Sequence, residues 1–267
     1  LLIFGWFGFP EWGMMGAGVA TLIARVAMMA GMYWALFSQK RIDAEVWAAA
    51  RVTLHRVWAL LKLGVPTGFQ YIFEVSAFAL SAWIIGTYGA TALAAHQVAI
   101  SLASISYMAA TGLGAAATIR IGQYLGQRDH GSAREAATSL FGLTVLFMTF
   151  TGLLFLFGRN LFPFLYTDDA AVARLAGQLL IVATLFQISD GMQATALGAL
   201  RGIQDVKMPT LFTFVAYYVV ALPLEWIIGT YFDLGAVGVW FALAVGLTLS
   251  AGAMTWRFYR RLAVMAR

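Results

Sequence analysis

The sequence predicts an all-α membrane protein that crosses the bilayer several times, and three observations carry this prediction. Hydrophobic residues make up 61% of the 267 residues, and charged residues only 11%, whereas soluble domains carry roughly 25% charged residues. The mean hydropathy is +0.81. The apolar residues are grouped in stretches of about 20, which is the length a helix needs to cross the hydrocarbon core. This composition excludes a soluble enzyme, a nucleic-acid module and a disordered chain, and the absence of cysteine excludes disulfides and thiolate metal sites.

Seven stretches meet this length and composition, and we expect each to form one transmembrane helix. In chain order they are residues 15–37, 64–86, 92–117, 137–158, 175–199, 209–229 and 236–256. They are rich in Ala, Leu and Phe with scattered Gly, as packed transmembrane helices tend to be.

The positions of Lys and Arg predict the orientation. Most of the 17 basic residues fall in the stretches 38–62 and 119–135, at Arg201 and Lys207, and in the tail after residue 256. All of these lie on one side if the seven stretches span the bilayer, and basic residues accumulate on the cytoplasmic side. We therefore expect a cytoplasmic C-terminus. The net charge of +5 then reflects topology and needs no nucleic-acid partner.

The connection 38–62 is long, charged and apolar at helical spacing, unlike the other connections. We expect it to lie along the cytoplasmic membrane face. It divides the chain into residues 1–37 with one helix, the connector 38–62, and a six-helix unit 63–267.

Two carboxylates fall within predicted spans. Glu74 shares one helical face with Gln70 and Ser81, and Asp190 lies in the middle of the fifth span. Further polar residues lie on the same two spans or along the third span: Thr184, Gln187 and Gln193, and Gln97, Ser101, Ser104 and Tyr107. Arg25, in the first span, is the only basic residue predicted at such depth. A single buried carboxylate often only bonds a neighbouring helix, but two on separate helices indicate a site that binds a cation or keeps a proton.

Other features favour ordinary structural roles. Glu225 is expected near the outer interface, where its side chain can reach water. The three histidines, His55, His96 and His130, lack metal-site spacing, and GLGAAA at 112–117 favours close helix packing over a phosphate loop. No enzyme signature is present, and we expect no catalytic residue and no cofactor.

Four segments resemble the C-terminal half of a MATE (multidrug and toxic compound extrusion) transporter of the NorM-type branch. They are LKLGVPTGFQYIFE at 61–74, LAAHQVAISLASISYM at 93–108, GLGAAATIRIGQYLG at 112–126 and FQISDGMQATALGALRGIQD at 186–205. The resemblance implies two six-helix lobes. Residues 1–37 would hold the sixth helix of the first lobe, and residues 63–267 would form helices seven to twelve. A partner is then the N-terminal lobe of the same protein, which the fragment lacks, and we expect the fragment to be inactive alone.

The resemblance also implies a function and its residues. The protein would be a cation-coupled antiporter in the bacterial inner membrane that exports lipophilic organic cations. Glu74 and Asp190 would bind the coupling ion, as metal ligands if the ion is Na⁺, with Tyr107 beside them. Gln97, Asp168 and Asp169 would contact the drug. Phe186 stands where some sodium-coupled members have Tyr, so Na⁺ and H⁺ both remain open.

Two alternatives remain. A flippase for lipid-linked precursors, from a related superfamily, would need basic residues in its cavity, and the predicted cavity is acidic. A non-transporting membrane scaffold would explain the helices but not the two buried carboxylates.

Overall fold

The computed structural model describes residues 10–38, 53–232 and 234–265, and every regular element in these ranges is helical. Seven of the described helices are long and apolar enough to span a membrane. They are α1 (Gly13–Ser38), α2 (Leu54–Gly86), α3 (Ala90–Gly126), α4 (His130–Gly158), α5 (Ala170–Gly202), α6 (Lys207–Tyr231) and α7 (Gly235–Met265). The all-α class and the seven predicted spans are confirmed.

Most helices extend beyond the predicted apolar stretches. The backbone hydrogen bonds of a helix do not require apolar side chains, so the helix continues into the polar residues that follow or precede the apolar stretch. The largest shift of a single helix end is in α2, which begins at Leu54 rather than at residue 64. The described end of the predicted connector 38–62 is therefore the first part of α2, while residues 39–52 lie outside the described ranges. The chain divides into two compact units, Leu1–Trp58 and Ala59–Arg267. The first unit contains α1, whose side chains are mostly exposed within it.

Helix α5 lies at the centre of the second unit and packs against α3, α4 and α7. It crosses α3 at a point where two glycines meet. A Cβ on Gly198 would lie 2.0 Å from the carbonyl oxygen of Gly114, so only glycine allows this approach. The Thr118 hydroxyl donates to the Gly198 carbonyl oxygen at 2.9 Å across the same crossing. The prediction that the stretch 112–117 serves close helix packing is confirmed at Gly114.

Helix α6 changes its winding along its length. It is α-helical over Lys207–Phe214, π-helical over Val215–Ala221 and α-helical again over Leu222–Tyr231. A π-helical turn inserts extra backbone and changes which side chains face each neighbour, and such turns are frequent at functional sites. Tyr217 and Tyr218 both lie in this segment.

Helices α2 and α6 run parallel and are joined by polar contacts along their length, which we call the α2–α6 seam. The contacts pair Thr210 with the Pro66 carbonyl, Tyr218 with Ser76, Glu225 with Ser81 and Thr230 with Tyr88. From one contact to the next, the residue numbers increase on both helices, so the two helices run in the same direction.

Candidate cation site

Glu74 lies at mid-length on α2 and faces α3. Its side chain is buried, with 8% of the residue exposed. Tyr107 on α3 donates its O–H to Glu74 Oε1 at 2.9 Å. Two residues that the sequence placed at one site are thus joined directly.

Gln193 on α5 reaches the same carboxylate from a third helix. Its Nε2 lies 3.5 Å from Glu74 Oε1 and 3.1 Å from the Tyr217 hydroxyl. Tyr217 in turn donates to Gln193 Oε1 at 3.3 Å. The Tyr217 hydroxyl therefore contacts both ends of the amide, and the N–H₂ group is the end that lies next to Glu74. Sequence reasoning missed Tyr217, because a tyrosine in an apolar span is usually a packing or interfacial residue.

Asp190 and Glu74 line one cavity of about 380 Å³ between α2, α3 and α5, which we call the aspartate cavity. Much of its remaining wall is aromatic or thioether surface: Tyr71, Phe78, Tyr107, Met108 and Phe186. Within the described part of the chain, no side chain or backbone N–H donates to the Asp190 carboxylate, which is 8% exposed. Two carboxylates from separate helices therefore share one mostly apolar space.

A second cavity of about 360 Å³, which we call the arginine cavity, shares three lining residues with the aspartate cavity. Tyr71, Glu74 and Tyr107 line both cavities, and Arg201 lines only this one. The Arg201 guanidinium donates to Gln70 Oε1 at 2.9 Å and lies 5.4 Å from the Tyr71 ring centroid.

Arg201 corrects one prediction, because the sequence placed it in the connection after the fifth span and left the carboxylates without a nearby cation. It lies in the last turn of α5 and its long side chain reaches back along α2. The helical spacing of Asp190, Ala194, Leu197 and Arg201 puts them on one face, and this signal was available in the sequence.

The predicted drug-contact residues lie elsewhere. Gln97 and Asp168 are exposed, and neither lines the two cavities. Asp169 caps the start of α5, accepting from the backbone N–H groups of Ala171 at 2.7 Å and Val172 at 3.3 Å. The structure gives Asp169 a helix-capping role, and the drug-contact assignment of all three residues stays a prediction.

Glu225 does not reach an interface as predicted. It is fully buried, with 0% exposed, and its Oε1 lies 2.9 Å from the Ser81 hydroxyl, within hydrogen-bond distance. The reason is that it lies on the face of α6 that is turned towards α2, inside the α2–α6 seam.

Comparison with known proteins decides the family. The MatE family model matches residues 66–227, more than half of the chain and including Glu74, Tyr107 and Asp190. The chain belongs to the MatE family. MatE proteins with similar sequences include the multidrug resistance protein NorM of Burkholderia vietnamiensis, 37% identical over 263 residues, which cover 97% of this chain and 57% of the relative. The multidrug resistance protein MdtK of Proteus mirabilis is 34% identical over 96% of this chain and 58% of its own length.

Solved MatE-type structures share the fold. A crystal structure of MATE in the straight conformation matches with a TM-score of 0.85 at 18% identity, over 98% of this chain and 59% of that chain. The eukaryotic MATE transporter AtDTX14 matches with a TM-score of 0.81 at 19% identity, over 99% of this chain and 60% of that one. The chain therefore spans a little over half the length of the MatE relatives it matches.

Proposed function

We propose that this chain is part of a cation-coupled exporter of lipophilic organic cations, in which Glu74 and Asp190 bind the coupling ion. The observation that carries the proposal is that these two carboxylates, on α2 and α5, line one cavity. The names of the relatives NorM and MdtK, both multidrug resistance proteins, support the substrate class. A carboxylate inside the membrane is energetically costly, and such residues usually belong to an ion or substrate pathway.

The coupling ion is Na⁺ or H⁺. Sodium is a hard cation that prefers oxygen ligands, and the site offers the Glu74 and Asp190 carboxylates beside the Tyr107 hydroxyl. If the Gln193 amide rotates by about 180°, its Oε1 faces Glu74 and becomes a further oxygen ligand. The Tyr217 hydroxyl accommodates either orientation, because it can donate to the amide oxygen or accept from the amide nitrogen. Proton binding to one carboxylate removes the same negative charge without needing those ligands.

Coupling follows from competition between the ion and the drug. An organic cation gains from the aromatic and Met surfaces of the aspartate cavity and from its two negative charges. Loading the carboxylates with Na⁺ or H⁺ removes those charges and favours drug release. The two cations then exclude each other, and their different affinities for two lobe arrangements drive export. Gln97, Asp168 and Asp169 are proposed as drug contacts before or after the cavity.

The chain spans about 57% of the NorM relative, and we propose that transport needs the remaining part. Alternating access requires one half of a transporter to move against the other. We place the protein in the bacterial inner membrane with its C-terminus in the cytoplasm, on the distribution of Lys and Arg. The 267-residue chain alone, reconstituted in liposomes, is expected to give no gradient-driven export.

The flippase alternative required basic residues in the cavity. One arginine, Arg201, does line the arginine cavity, but its guanidinium is engaged by Gln70 and Tyr71. A pyrophosphate group needs several cationic or donor groups, and the same cavity contains Glu74. The arrangement therefore favours a cationic substrate.

The test compares Glu74→Gln and Asp190→Asn with the parent in the full-length transporter, expressed in a drug-sensitive strain. Each substitution removes one negative charge at nearly constant shape. We expect both variants to insert normally and to lose at least tenfold in efflux rate of a lipophilic cation. Glu135→Gln, at an exposed position on α4, serves as the control and should keep parental efflux. Parental efflux in both site variants would overturn the assignment.

A further inference from the structure

Glu225 is a buried carboxyl group that the proposed cation site does not use. It lies on α6 in the α2–α6 seam, with 0% of the residue exposed. Its Oε1 lies 2.9 Å from the Ser81 hydroxyl, and its Oε2 has no hydrogen-bond partner among the described residues. It lines neither the aspartate cavity nor the arginine cavity.

The number of hydrogens at Ser81 indicates how this contact is made. The Ser81 hydroxyl has one proton and lies 3.0 Å from the Ala77 carbonyl oxygen and 2.9 Å from Glu225 Oε1. A backbone carbonyl can only accept, so it competes with Glu225 for that proton. If Glu225 carries a proton, Ser81 donates to Ala77 and Glu225 donates to Ser81, and each short contact has its own hydrogen.

An ionised Glu225 fits the same surroundings poorly. Its charge would share one hydroxyl proton with a carbonyl, and its second oxygen would be buried without a donor. Isolated buried charge is far more costly than an unpaired neutral oxygen. The described ion pairs both involve Asp205, so no Lys or Arg in the described ranges compensates Glu225.

The other titratable groups of the neighbouring helices have partners of their own. Tyr88 bonds Thr230 and Tyr218 bonds Ser76 along the seam. Tyr217 bonds Gln193, and the buried His96 accepts from Trp240 Nε1 at 3.1 Å. Among the described residues, Ser81 is the one polar group that contacts the Glu225 carboxyl.

We infer that Glu225 is a proton-binding site of this chain, separate from Glu74 and Asp190, that holds its proton while the α2–α6 seam is closed. Breaking the Ser81 contact and admitting water releases the proton. Helix α2 also carries Glu74, so a displacement of α2 at the cation site that separates it from α6 opens the seam and releases the proton at Glu225. The inference does not depend on the proposed transport function.

The test is infrared spectroscopy of the full-length transporter in lipid at neutral pH, reading the carbonyl stretch of protonated carboxyl groups. We expect Glu225→Gln, which keeps the shape and the hydrogen bond, to lose one such band that Glu135→Gln retains. Ser81→Ala removes the partner hydroxyl but keeps Glu225, so the band should persist and shift to the higher frequency of a less hydrogen-bonded acid.

The outcomes separate the two sites. Loss of the band in Glu225→Gln and its shift in Ser81→Ala support the inference, whether or not the protein exports drugs. Identical carboxylic-acid spectra for the parent and Glu225→Gln overturn it. If Glu225→Gln does not fold, Ser81→Ala decides alone, because an unshifted spectrum then overturns the inference.

Discussion

The Tyr217 hydroxyl contacts both ends of the Gln193 side-chain amide, accepting from Nε2 at 3.1 Å and donating to Oε1 at 3.3 Å. Both residues are almost completely buried, at 0% and 1% exposed. The π-helical segment of α6 places Tyr217 at this contact while its neighbour Tyr218 faces Ser76. The position of the amide next to Glu74 thus depends on a residue from a fourth helix.

Tyr217→Phe tests this dependence. The ring is kept, but the buried Gln193 Oε1 loses its donor, and an unsatisfied buried polar atom costs about 1–3 kcal/mol. Thermal unfolding in detergent should show a clear decrease in melting temperature. Tyr218→Phe is the control. Because Tyr218 is only half-buried, loss of its hydroxyl should lower the melting temperature less than loss of the Tyr217 hydroxyl. Equal decreases in the two variants would contradict the special position of Tyr217.

Gly198→Ala tests the crossing of α3 and α5. Its Cβ would meet the Gly114 carbonyl oxygen at 2.0 Å, a backbone atom that cannot turn aside. Forcing atoms into a packed core costs about 1–3 kcal/mol, so we expect reduced thermal stability and reduced yield of folded protein. Gly112→Ala on the partner helix α3 meets nothing within 4 Å and should be neutral or slightly stabilising. A neutral Gly198→Ala would show that the helices are not in close contact.

Arg201→Met tests the contact between α5 and α2. It leaves Gln70 Oε1 without its donor at a position only 1% exposed, which costs about 1–3 kcal/mol. Adding Gln70→Leu removes the orphaned group and should recover much of the stability. A double-mutant cycle on melting temperature measures the coupling. Strictly additive effects would mean that the two side chains do not interact.

The start of α4 should respond to acid. Asp129 lies between two membrane-spanning helices, and hydrogen bonds from Ser132 hold the pKa of its carboxyl below its usual range. Its capping contribution is complete above the pKa of an unfolded aspartate, about 4, and is lost as pH falls through the lower folded value. Hydrogen-exchange protection of the Ser132 amide should decrease in that window. Asp129→Asn keeps an acceptor that does not ionise, so its protection should not change there.

The fold class and the seven spans could be predicted because they depend on apolar stretches of sufficient length, which are local in sequence. The site could be predicted only where polarity stood out within a span. Glu74, Asp190 and Tyr107 met that condition, and they line one cavity.

The structure was needed where side-chain direction decides the role. Arg201 follows the predicted end of its span, yet its length lets it reach Gln70. Glu225 was expected at the outer interface, but the face of α6 on which it lies is packed against α2. Tyr217 depends on π-helical winding, for which the sequence offers no distinct signal.

The α2–α6 seam has a consequence for biogenesis. Its four contacts join residues separated by 142 to 144 positions, so none can form until the whole intervening chain has been made. At a synthesis rate of ~5–20 residues per second, the interval between the synthesis of α2 and that of α6 is on the order of ten seconds. During that interval Ser81 and Glu74 enter the membrane ahead of their partners on later helices. The seam closes late in synthesis, and a translational pause or truncation before α6 leaves a polar face of α2 exposed to lipid and to quality-control proteases.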